Sequence, residues 1–155
     1  MYGWRRVGKS ELLLRWAEQN GLDYVYWEAV KENANQQRAH FYRKLLNVPA
    51  SAAPVYRSWA DLWNAAASEL LEKRRILILD ELPYAAEADS AMLSALQNAW
   101  DQHFQKSETV VALCGSHGHV LETLLSKQFP LFGRITAQWH FEPLLFSSLA
   151  LSQRS

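Results

Sequence analysis

Residues 3 to 10 read Gly3-Trp4-Arg5-Arg6-Val7-Gly8-Lys9-Ser10 and match G-x-x-x-x-G-K-[ST] at every fixed position. That spacing suits the binding of a phosphate chain. The glycines let the backbone turn tightly enough for its N–H groups to surround phosphate oxygens, and a helix opening near Lys9 directs its positive dipole end at the same anion. On this reading Gly3, Arg5, Arg6, Val7, Gly8, Lys9 and Ser10 form a nucleotide-binding loop. Lys9 would bridge the β- and γ-phosphates, and the Ser10 hydroxyl would hold Mg²⁺. The plainer alternative is a glycine-containing turn ahead of a helix.

Hydrolysis also needs a carboxylate for the metal and a group that handles water. The run Ile76-Leu77-Ile78-Leu79-Asp80-Glu81 offers both. Asp80 falls at the C-terminal end of an aliphatic strand, where α/β folds bind ligands, and would hold Mg²⁺ through its water shell. Glu81 would orient or deprotonate the attacking water. Taken alone, the pair could equally be two solvated acids at a turn containing Pro83. A second apolar run ends in Cys114-Gly115-Ser116, which brings the Ser116 hydroxyl to the same sheet edge. Ser116 is a candidate for contact with the γ-phosphate or the water, or a cap for the helix that follows. Arg134, after Gly133, is either an arginine finger or an ordinary surface charge. His117 and His119 form an H-x-H pair with no further ligand nearby in sequence and are read as loop residues.

The elements that must position these residues follow from periodicity. Helices are expected over Ser10–Asn20, 34–47, from Ser58 toward Lys73, over Ser90–Gln105 and over Val120–Leu125. Strands are expected over Tyr24–Ala29, Ile76–Leu79, Thr109–Gly115 and Ile135–Pro143, with loops at Asn47–Pro54 and Gln128–Arg134. Ser58 with Asp61 three residues on approximates a capping box. Strands alternating with helices predict an α/β layered fold with a mainly parallel sheet. No internal repeat or low-complexity segment is found.

Composition sets the outer limits. The chain has 155 residues, 49% hydrophobic and 21% charged, which is about one globular domain and not a disordered chain. Sixteen Lys plus Arg balance sixteen Asp plus Glu, so no net charge points to nucleic acid or a membrane surface. The single cysteine excludes an internal disulfide and fits a reducing compartment. No apolar run reaches membrane-spanning length, and the N-terminus lacks the apolar core of a signal peptide, so a cytoplasmic location is expected. The seven tryptophans could stack on single-stranded nucleic acid. Trp16, Trp63 and Trp100 lie on apolar helix stripes and Trp27 in a strand, however, so core packing is the expectation.

The motifs taken together resemble the archaeal-type ATPases of the AAA+/STAND group of P-loop NTPases. The resemblance rests on YGWRRVGKSELL, YVYWEA, SWADLW, ILILDELPYA, LCGSHGHVLETLL and PLFGRITAQWHFEPL, and it spans almost the whole chain. It implies a three-layer α/β/α core with strand order five-one-four-three-two and with ATP and Mg²⁺ as ligands. It implies Asp80 on the metal, Glu81 in catalysis, Ser116 as the first sensor and Arg134 facing the phosphates from its own or a neighbouring subunit. Trp4 and His117 depart from the usual residues without touching the phosphate-binding positions. The family's first, central strand and the helical lid after Pro143 have no counterpart, nor has a winged-helix or nuclease-like C-terminal region. Residues 1–155 are therefore expected to form one incomplete P-loop ATPase domain, a nucleotide-driven switch with low stability and weak or no turnover by itself. Its expected partners are ATP and ADP, a second copy of the chain or a C-terminal effector domain, with nucleic acid disfavoured by the charge balance and no membrane. A non-catalytic remnant and a DNA-associated ATPase are the alternatives.

Overall fold

In a computed structural model, residues 2–3, 8–52, 54–116 and 118–141 are described. The aliphatic run forms strand β3 (Arg75–Asp80), with all six residues buried, as a parallel strand covered on both faces should be. It pairs in parallel with β2 (Asp23–Glu28) on one side and with β4 (Val110–Leu113) on the other. Glu28 lies opposite Asp80 in this register. β4 starts one residue after and ends two residues before the expected bounds, and the Thr109 hydroxyl donates to the Leu70 carbonyl at 2.9 Å. The Cys114 N–H still donates to the Leu79 carbonyl at 2.8 Å, so the ladder continues to the site edge.

Two residues of strand, β1 (Tyr2–Gly3), lead into the glycine motif, where no strand was expected. They pair in parallel with β5 (His140–Phe141). The sheet order implied by the resemblance therefore occurs in two pieces, β1-β5 and β2-β3-β4, with no ladder between them among the described residues. Among the described residues the expected last strand is represented by those two, and residues 135–139 have no regular structure. Residues 142–155, where a lid was in question, lie outside the described residues.

Helix α1 (Lys9–Gln19) covers one face of the three-stranded sheet. There Ala17, Ile76, Ile78 and Cys114 are enclosed, with Leu13, Leu14 and Tyr26 packed against them. Helices α2 (Ala34–Leu46), α3 (Trp59–Leu71), α4 (Leu82–Ala88) and α5 (Ala91–Ala99) cover the other face with α6 (Gly118–Leu124). Val25, Trp27, Leu77 and Leu79 point into this larger core. Trp27 meets Phe41 edge-on with ring centroids 5.5 Å apart, and Phe41 lies 4.9 Å from Trp63. Trp27, Trp59 and Trp63 are thus core residues. Trp16 departs from its expected role: α1 rests on Ala17, so Trp16 and Leu12 sit at the edge of the stripe, 46% and 49% exposed.

Local signals account for the helix ends. Asn33 and Gln36 cap α2 reciprocally, each accepting from the other's backbone N–H. Ser58 caps α3 by accepting from the Asp61 N–H at 3.1 Å, whereas the Asp61 carboxylate accepts from the Ser58 hydroxyl and does not reach back to the cap backbone. The long helix expected to run to Gln105 instead ends at Ala99 and continues as a π-helical turn over Trp100–Phe104.

Candidate functional site

The chain enters α1 through Gly8, the second glycine of the expected phosphate-binding motif, whose φ of 77° is left-handed and favours glycine. The Leu12 N–H donates to the Gly8 carbonyl at 2.8 Å, which starts the helix. Lys9 is the first helical residue and is 7% exposed. A cavity of about 530 Å³ opens beside it, within the range of small-molecule sites. Gly8, Lys9, Ser10, Asp80, Glu81 and Ser116 all line it.

Chain topology explains the convergence. β2, β3 and β4 run parallel, so their C-terminal ends share one edge, and α1 begins at that edge. The Ser10 hydroxyl donates to Asp80 Oδ2 across a separation of seventy residues. Asp80 is 8% exposed, and its Oδ1 accepts from the Glu81 N–H at 2.9 Å. A hydroxyl beside a carboxylate is a hard-oxygen donor set that suits magnesium. Glu81 lies at φ 51°, a left-handed conformation that ends the strand and turns the chain into α4. Its two carboxylate oxygens each accept from the Ser116 N–H at 3.3 Å. Ser116 thus meets Glu81 through its backbone, where the sequence had suggested only its hydroxyl.

The other expected site residues fall elsewhere. Gly3 is in β1, leading into the loop. Arg5, Arg6 and Val7 lie outside the described residues, as do Trp4 and His117. The described residues contain no cluster of three or more His, Cys, Asp or Glu able to hold a metal. Arg134 is not brought to the cavity. Its guanidinium donates to Asp101 at 2.8 and 3.2 Å and to the Pro130 and Phe132 carbonyls, which fixes it against the π-helical turn. The Arg134 contact holds the Asp101 carboxyl below its ordinary range.

Sequence reasoning missed part of the cavity wall. Glu28, Ala29, Val30 and Lys31, where β2 leaves the sheet, line it together with Tyr84. No motif marks them; the register that sets Glu28 beside Asp80 is a property of the sheet. Tyr26 was also missed as a polar contact: its hydroxyl donates to Asp80 Oδ2 at 3.0 Å. Burial, then the Asp80 charge, pushes this phenol well above its ordinary value.

An uncharacterized protein of Methanocaldococcus jannaschii is 29% identical over 150 residues, which are 96% of this chain and 32% of that protein. The chain therefore spans about a third of that relative's length. Among solved structures, a Walker-type ATPase of Pyrococcus abyssi superposes with a TM-score of 0.59 at 18% identity, over 95% of this chain and 49% of that one. Cdc6p from Pyrobaculum aerophilum gives 0.55 at 19% identity, over 92% of this chain and 39% of that one. At such identities these two likenesses speak for the fold, that of P-loop ATPases. No described helix is long and apolar enough to cross a membrane. Residues 1–150 match a family described as an ATPase domain predominantly from Archaea, and the chain belongs to that family.

Proposed function

We propose that the cavity binds ATP with magnesium and that the chain is the nucleotide-driven switch module of a larger ATPase. The observation that carries this reading is the Ser10 hydroxyl on Asp80, beside Lys9 at the start of α1. The loop and the acidic strand end are distant in sequence and meet at one spot with the residue types that phosphate and Mg²⁺ require. Magnesium, held by Ser10 and Asp80, would supply neutralisation of phosphate charge. The residues of the chain do the rest. Backbone N–H groups near Gly8 and the Lys9 ammonium hold phosphate oxygens, and Ser10 and Asp80 form the metal side. Glu81 accepts a proton from the attacking water or orients it. Its carboxylate is held by the Ser116 N–H, which ties the water-handling group to the end of β4. Arg134 would serve only after release from Asp101, or by acting on a neighbouring subunit.

Nucleotide titration of variants tests the proposal. Lys9→Ala should abolish ATP binding. Glu81→Gln should keep binding and remove turnover, because the glutamine oxygen can still accept from the Ser116 N–H but cannot take a proton. Unchanged ATP affinity in Lys9→Ala would sink the reading.

A further inference from the structure

Three donors meet on the Asp80 carboxylate. The Glu81 N–H occupies Oδ1, while the Ser10 hydroxyl and the Tyr26 phenol both donate to Oδ2. Tyr26 reaches Asp80 from the neighbouring strand. It is in register with Ile78, two residues before Asp80 and on the same face of the sheet. Its ring packs beside Ile76, Ile78 and Cys114 under α1, so the hydroxyl is delivered from a partly buried, sterically fixed position. Ser10 is different in kind, because its oxygen is the one that a bound cation would take. A phenol that is not itself a ligand keeps its donation whether or not the cation is present.

We infer that Tyr26 is a positioning residue for the strand-end carboxylate: it holds Asp80 Oδ2 in one orientation and thereby sets how tightly magnesium is retained with nucleotide. The inference rests on the nucleotide-binding reading above. Groups that hydrogen-bond a metal-binding carboxylate from behind typically alter metal affinity about ten- to a hundredfold when removed. The effect should therefore appear in the metal dependence and not in the contacts made by the nucleotide alone.

The experiment is a calorimetric titration of the full chain with ADP, in EDTA and across a magnesium series. It compares the unaltered chain with Tyr26→Phe and with Tyr24→Phe as a control on the same strand. Tyr26→Phe should raise the magnesium concentration at half-maximal gain in ADP affinity about tenfold. ADP affinity in EDTA should stay unchanged, and Tyr24→Phe should match the unaltered chain in both. An equal magnesium midpoint in folded Tyr26→Phe overturns the inference alone. Absence of ADP binding by the unaltered chain overturns the nucleotide reading and the inference with it. Should Tyr26→Phe fail to fold, the unaltered chain answers directly: adding magnesium to its ADP complex should perturb the tyrosine ultraviolet difference spectrum. An unperturbed spectrum counts against Tyr26.

Discussion

Cys114 shares the α1 face of the sheet with Ile76 and Ile78 and is fully enclosed there. Burial first, and the nearby Asp80 charge second, push its thiol up to about 12 from an ordinary 9. The thiolate is the reactive form, so a thiol reagent near neutral pH should modify Cys114 only as fast as the chain opens, which mass spectrometry can follow with and without denaturant. The pH dependence has a definite sign. The unfolded thiol loses its proton near 9, while the folded one keeps it until about 12. Its stabilising contribution is therefore intact below about 9 and is lost as the pH climbs toward 12. Denaturation midpoints of Cys114→Ala should fall less steeply across that window than those of the unaltered chain; identical slopes would remove Cys114 from the account.

Arg38 on α2 shows how one buried charge joins elements. It is 4% exposed and donates to the Tyr56 carbonyl at 2.9 Å and to Asp89, between α4 and α5, at 3.2 Å. Asp89→Ala would leave that guanidinium short of its charged partner, and we expect a loss of about 2 kcal/mol in denaturant unfolding. A change below about 0.5 kcal/mol, the size of an ordinary surface substitution, would show that the pair is not stabilising. Neither residue was legible as a partner, because nothing local in α2 points to position 89. Elements with a strong period were legible: α1, β2, α2, α3 and β3 fall within a residue or two of their expected bounds. Helix α4 was not. Pro83 reads as a turn, yet at the second helical position its missing N–H costs nothing. The candidate site divides in the same way. Lys9, Ser10, Asp80 and Glu81 sit in recognisable motifs, whereas Tyr26, Glu28 and Lys31 reach the site through strand register and the exit path of β2, which no local spacing records.

The two faces of the sheet are unequally covered. One carries the large aromatic core beneath α2, α3 and α5, and the other carries α1 over a small cluster. The backbone amides of α1 should accordingly exchange with deuterium through local opening, well before those of β3, which exchange only near global unfolding. Mg-ATP should slow exchange in α1 and raise the melting temperature, as any ligand selective for the folded state does. Equal exchange in α1 and β3 would contradict the unequal cover. This same helix starts with Lys9 and Ser10, so its docking on Ile76 and Ile78 and the assembly of the proposed phosphate site are one event. On the proposed nucleotide-binding reading, ATP affinity acts as a gauge of helix attachment. Warming or mild denaturant should weaken ATP binding in step with the undocking of α1, while the aromatic core beneath α3 still holds.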